Sequence, residues 1–190
     1  MKKLLLLLQA CCMILLVSST ALAAENTANT NPHNWEISMM PKPTAEEIEA
    51  ARWSLVVEND IGVYAYDMDS LEFAVKKNDE QDKNMVKVLV KTVFTNKDVL
   101  KKLQKDYADK LEGKEKVLYC KMDMQFNLKD KTYNVKQMNV YTNKDRQIDI
   151  KRNRGKFVPV PEKTFAEAML EICQQYAADT QKAAEASAGK

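Results

Sequence analysis

The even positions from Val86 to Phe94 are Val, Val, Val, Thr and Phe, whereas the odd positions run Met85, Lys87, Leu89, Lys91 and Val93. A period of two with one apolar and one mixed set is that of a strand with one face on a core. The spacing over 84–95 predicts the central strand of an antiparallel sheet. Residues 116–126 repeat the alternation, with Leu118, Cys120, Met122, Met124 and Phe126 on one side and Lys121, Asp123 and Gln125 on the other. Over 132–141 the apolar parity slips from Tyr133 and Val135 to Met138 and Val140, which predicts a bulge near Gln137. Residues 53–57 and 63–66 flank the turn-rich 58–62 and predict a hairpin. A shorter strand holds Ile148 and Ile150, and 157–160 follows a basic turn.

Three stretches have helical spacing. Thr44 to Glu47 reads as a capping box opening a short helix to about Arg52. Thr95 or Asn96 caps a second, whose stripe of Val99, Leu100, Leu103, Tyr107 and Leu111 ends at Gly113. Thr164 to Glu167 is another capping box, followed by Phe165, Ala168, Met169, Ile172, Cys173 and Tyr176 on one stripe. Beyond Ala177 the Ala, Lys and Glu tail is either a helical extension or disordered. These elements predict an α+β domain with an antiparallel sheet of five to six strands and flanking helices.

The first 23 residues change the picture of the compartment. Lys2 and Lys3 precede the apolar run 4–17, and Ala21-Leu22-Ala23 is a small-x-small cleavage site, so 1–23 reads as a secretory signal peptide. The run is shorter than the roughly 20 residues a membrane span needs. Leu8-Gln9-Ala10-Cys11 faintly resembles a lipobox, but apolar sequence continues past it. The expected organisation is a signal peptide at 1–23, a flexible segment at 24–43, a domain at 44–178 and a flexible tail at 179–190, in a protein that is periplasmic, secreted or on the cell surface.

The 190-residue chain carries 29 basic and 27 acidic residues. Loss of Lys2 and Lys3 with the signal balances them, which argues against nucleic acid as a partner and against general attraction to a membrane. Cys11 and Cys12 leave with the signal too. An exported chain that keeps only Cys120 and Cys173, both on apolar stripes, is expected to pair them, tying the last helix to a strand.

Little in the sequence points to catalysis. The single histidine, His33, lies in the N-terminal segment, so no imidazole of the domain can serve a Ser or Cys nucleophile. Met122-x-Met124 could ligate a soft metal, but both alternate with polar neighbours and read as core. Asp67-x-Asp69 lacks the Gly and distal Glu of a calcium loop. The expectation is a non-enzyme without metal or cofactor. The one charge concentration is Lys151, Arg152, Arg154 and Lys156, four cations in six residues and a candidate polyanion site.

Trp53, Tyr66-Asp67-x-x-Ser70, Val88-x-Val90-Lys91, Tyr119-Cys120, Tyr133, Tyr141, Pro161-x-x-Thr164 and Cys173 occur in an order that resembles the bacterial surface-adhesin protein E family across 53–176. The resemblance implies a small exported α+β domain with a disulfide on its last helix. It also implies adhesion to host extracellular-matrix or plasma proteins by a module that can dimerise, whereas anionic glycans are the partner expected from the basic turn at Lys151, Arg152, Arg154 and Lys156. The alternative from another class is a periplasmic protein that binds a small ligand or supports envelope structure.

Overall fold

The computed structural model describes residues 42–188 except 77 and 154. The expected signal peptide at 1–23 and all but the last two residues of the segment expected at 24–43 lie outside the described residues.

In chain order the elements are α1 (Ala45–Ala51), β1 (Trp53–Glu58), β2 (Gly62–Asp67), β3 (Glu72–Val75), β4 (Gln81–Phe94), α2 (Lys97–Asp106), β5 (Val117–Asn127), β6 (Thr132–Thr142), β7 (Gln147–Arg152), β8 (Val158–Pro159) and α3 (Phe165–Ala188). The fold is α+β. All described strand pairs are antiparallel, in the order β1-β2-β4-β5-β6-β7, with short β3 on β4 and β8 on β6. The strand expected to be central is central, but it begins at Gln81, before the expected start at residue 84. That extension is stabilised by β3, where Ala74 and Val75 pair with Asp82 and Gln81. The slip in β6 is a true bulge: Asp123 pairs with Gln137 and Met124 with Val135, leaving Lys136 unpaired.

The register divides the sheet into two faces. Val86, Val88, Val90 and Thr92 of β4 pair with Phe126, Met124, Met122 and Cys120 of β5, so all eight share one face. α3 packs over it, burying Met169, Leu170 and Cys173 against Val86, Val88, Val90, Met124 and Phe126. The helix runs along the strands, because Phe165 near its start stacks on Tyr64 at 4.5 Å, while Tyr176 three turns later meets Phe73 at 5.4 Å. A smaller cluster of Tyr107, Val117 and Val140, joined by Phe94, Leu103 and Ile148, secures the far end beneath α2.

α2 stops at Asp106 instead of reaching Gly113. Tyr107 leaves the helical region at φ −115°, ψ 16°, buries its ring, and gives its hydroxyl proton to Asp149 at 3.1 Å. A buried ring with a hydrogen bond to a distant strand outweighs one more helical turn. α3, by contrast, runs helically to Ala188 through the stretch expected as a tail.

The expected Cys120–Cys173 disulfide is not formed; both cysteines are free, buried thiols. Cys120 lies in the cross-strand row Tyr64–Thr92–Cys120, over which Phe165 stacks. Cys173 is eight residues further along α3, roughly 12 Å at 1.5 Å per residue, whereas a disulfide needs Cα atoms within about 7 Å. Two inward-facing cysteines therefore share a core without sharing a row. Burial pushes the Cys120 thiol up to about 11 and that of Cys173 up to about 12.

Candidate functional site

The opposite face of the sheet has no helix layer along its centre among the described elements; α1 touches it only at the β1 end. Its β4 and β5 positions are the polar half of the alternation: Lys87, Leu89 and Lys91 beside Gln125, Asp123 and Lys121. Lys91 and Lys121 are direct cross-strand partners. Like charges placed opposite each other destabilise a strand pair, and no carboxylate among the described residues lies within 4.0 Å of either ammonium.

Aromatic rings hold the two cations instead. Lys91 Nζ lies 4.7 Å from the Tyr119 ring centre and 5.3 Å from that of Trp53. Lys121 Nζ lies 5.3 Å from Trp53 and 5.8 Å from Tyr141. Tyr119 and Tyr141 pair across β5 and β6 and stack at 4.8 Å. Each ring face carries negative charge density that attracts an ammonium, by about 0.5–1 kcal/mol at exposed sites. Trp53 comes from β1, two strands away from Lys91; its ladder partner on β2 is Asp67, whereas Lys91 pairs with Ala65, so the two meet on a diagonal of the open face.

Neighbouring polar groups fix these rings. Trp53 Nε1 donates to Glu49 of α1 at 3.1 Å, and the Tyr119 hydroxyl donates to Asp145 at 3.1 Å. Burial, then the Asp145 charge, raises the Tyr119 pKa, so the phenol stays neutral. The Tyr141 hydroxyl donates to Gln147 at 3.1 Å, and its pKa is raised by burial and by Asp123. α1 is itself anchored beside the patch, since Arg52 following it pairs with buried Asp67. Asp67 also accepts from Asp69 N at 3.1 Å, and its carbonyl accepts from the Ser70 hydroxyl, whose oxygen accepts from Leu89 N at 2.8 Å. The Asp67-x-x-Ser70 pattern thus does structural work, closing the turn after β2 onto β4.

Among the described residues of the basic turn, the first two cations do not share a face. Lys151 and Arg152 are consecutive in β7 and take opposite faces. Lys151 Nζ lies 5.3 Å from the Tyr107 ring centre, and its pKa is raised by hydrogen bonding to Tyr107, then by the charges of Asp149 and Asp106. Arg152 Nε donates to Gln137 at 3.2 Å. Lys156 is exposed, and Arg154 lies outside the described residues. Lys87, another cation of the open face, is neutralised by Glu72 at 2.7 Å. Lys91 and Lys121 are the pair brought together; their facing registers and aromatic frame were not legible in the sequence, although the odd parity of both lysines was.

No family model matches the chain, and no curated protein matches it. Its structure is similar to that of Haemophilus influenzae protein E in a second crystal form, at 12% identity and a TM-score of 0.44, covering 67% of this chain and 91% of that one. A likeness of that size carries no argument about what the open face does.

Proposed function

We propose that this chain is an exported, non-enzymatic interaction module that holds an anionic glycan against the open face of its sheet. The observation that carries the reading is Lys91 facing Lys121 between Trp53, Tyr119 and Tyr141. A pair of like charges with no carboxylate within 4.0 Å among the described residues is relieved by a ligand that brings negative charge. The half-buried Trp53 and Tyr141 rings offer apolar area to the carbon face of a sugar ring while the ammoniums take its carboxylate or sulfate, and buried Tyr119 positions Lys91. Export is supported by the signal pattern of residues 1–23. Binding to an extracellular or envelope polymer is the corresponding role, and a matrix or plasma protein bearing such glycans is the corresponding partner.

Heparin and hyaluronate titrations of the full chain test this. The expected result is binding that weakens with salt, is lost in Lys91→Ser/Lys121→Ser, and survives Lys151→Ser/Arg152→Ser/Arg154→Ser/Lys156→Ser. Equal binding by the Lys91/Lys121 variant overturns the reading.

A further inference from the structure

On the covered side, at the end of the molecule held by α2, the helix closes on the sheet through Leu103 and the Tyr107 cluster, and the Leu100 side stays open. The apolar stripe of α2 should be its buried face, yet no residue of this helix is buried, and Leu100 and Leu103 stay half-exposed. Between α2 and the start of β5 lies a groove of about 830 Å³. That is within the roughly 300–1,000 Å³ of pockets that hold small molecules. Its apolar floor comes from half-exposed Leu100 and from Leu118, 37% exposed despite its leucine side chain, backed by buried Val117.

Lysines line both walls. Lys97 and Lys101 are one helical turn apart on α2, and Lys114 and Lys116 share one parity in the segment entering β5. Lysine stems lie along apolar surface while the charged heads reach water, so the walls continue the apolar floor and the rim is cationic. Acids offset this little. Glu115 is already held by Arg146, and Asp98, 3.7 Å from Lys101, is a fully hydrated exposed partner. Glu112 likewise faces Arg146 at 3.5 Å.

We propose that this groove is a binding site for a single-chain anionic amphiphile, a long-chain acyl carboxylate, with the chain along Leu100, Val117 and Leu118 and the carboxylate among the four lysines. The charge of the rim selects an anion, and the apolar floor selects a hydrocarbon chain. A concave floor takes a monomeric chain, whereas a bilayer surface is reached by side chains that protrude. The site is separate from the Lys91–Lys121 patch and stands whether or not that patch binds glycans.

Dodecanoate, kept below its micelle concentration, is titrated calorimetrically into the full chain, with amide chemical shifts recorded in parallel. The expected outcome is saturable one-to-one binding, with shift changes confined to residues 97–104 and 113–118. The uncharged methyl ester and the Lys97→Gln/Lys101→Gln/Lys114→Gln/Lys116→Gln variant should each bind about tenfold more weakly, the loss expected when several exposed ion pairs are removed. Leu100→Asp/Leu118→Asp should abolish binding, and Lys91→Ser/Lys121→Ser should leave it unchanged, separating this site from the glycan reading. Absence of saturable binding, equal affinity for the ester, or shift changes elsewhere overturns the proposal, and the shift map decides even if a variant fails to fold. Capture by anionic vesicles or an acidic peptide without dodecanoate binding overturns it too, in favour of a membrane or a protein partner.

Discussion

Val86, Val88 and Val90 of β4 disappear under α3, while Lys87, Leu89 and Lys91, one residue along in each case, look out from the other face of the same strand. The two faces are built from one backbone and solve opposite problems. The covered face satisfies itself: valines, methionines and Phe126 exclude water with a helix as partner, and free energy comes from area removed from water. The open face is stabilised by lateral contacts alone, with cations between rings and tyrosines stacked across strands. Its residual conflict, Lys91 opposite Lys121, does nothing for folding. Residues that carry stability and the residues proposed to carry binding are therefore separated by the pleat, and a substitution should affect one property with little effect on the other.

The largest expected effect is on the covered face. Phe126 is fully buried and touches Tyr133 at a ring separation of 6.0 Å; Phe126→Ala should cost about 3–5 kcal/mol in denaturant unfolding. A loss below 1 kcal/mol would show that the α3 layer is not the main core. Next comes Asp67, which has the open-face parity but is 1% exposed. Asp67→Ala removes the acceptor of Arg52 and of Asp69 N, and should cost about 2 kcal/mol, measured as a lowered urea midpoint. Because this anchors α1 beside Trp53, it should also weaken glycan binding; unchanged binding would show that α1 is not needed to hold the indole.

Acid should act at neither face but at the α2 end. Arg146 hydrogen-bonds Glu115 and lowers its pKa from 4.5 to about 2. A lowered folded-state value means that the contribution is complete above the unfolded value near 4.5 and is lost as pH falls towards 2. Glu115→Gln should thus narrow the stability difference between pH 5 and pH 2, and thermal melts at the two pH values check it. A variant with the same acid sensitivity as the wild type would place the acid response elsewhere. The smallest stability change belongs to Lys91→Ser/Lys121→Ser, about 1 kcal/mol, because the lost ring contacts of these half-buried lysines are offset by relief of their like-charge pairing, although this is the pair whose loss should remove binding. A large destabilisation there would erase the distinction between the faces.

The thiols offer a check on the covered side. With pKa values near 11 and 12, and with both side chains buried, Cys120 and Cys173 should react with a thiol reagent only on unfolding. Rapid labelling in the native protein would show that α3 lifts from the sheet.

Alternation was enough to find β4, β5, β6 and the bulge at Lys136, because burial of one face forces a period of two and a slip in that period can only be an extra residue. It also put Cys120 and Cys173 on buried stripes. It could not place them in one row, since the position of a helix along a strand is set by which side chains interlock, here Phe165 on Tyr64 and Tyr176 on Phe73. Short strands such as β3 escaped notice for a related reason: four residues carry too little pattern, and pairing with Asp82 and Gln81 makes them a strand.

Local pattern determined which residues face inward, where chains turn and where helices begin, as Thr44 capping α1 through Glu47 illustrates. Each of these depends on neighbours within a few residues. Register decided the rest. Lys91 and Lys121 are thirty positions apart in the chain, and Trp53 is further still from Lys121; only the order β1-β2-β4-β5 and the pairing of Lys91 with Lys121 set them around one another. Lys151 and Arg152, contiguous in the basic turn, were divided by the same pleat that assembled the lysine pair, because successive residues of a strand point to opposite faces.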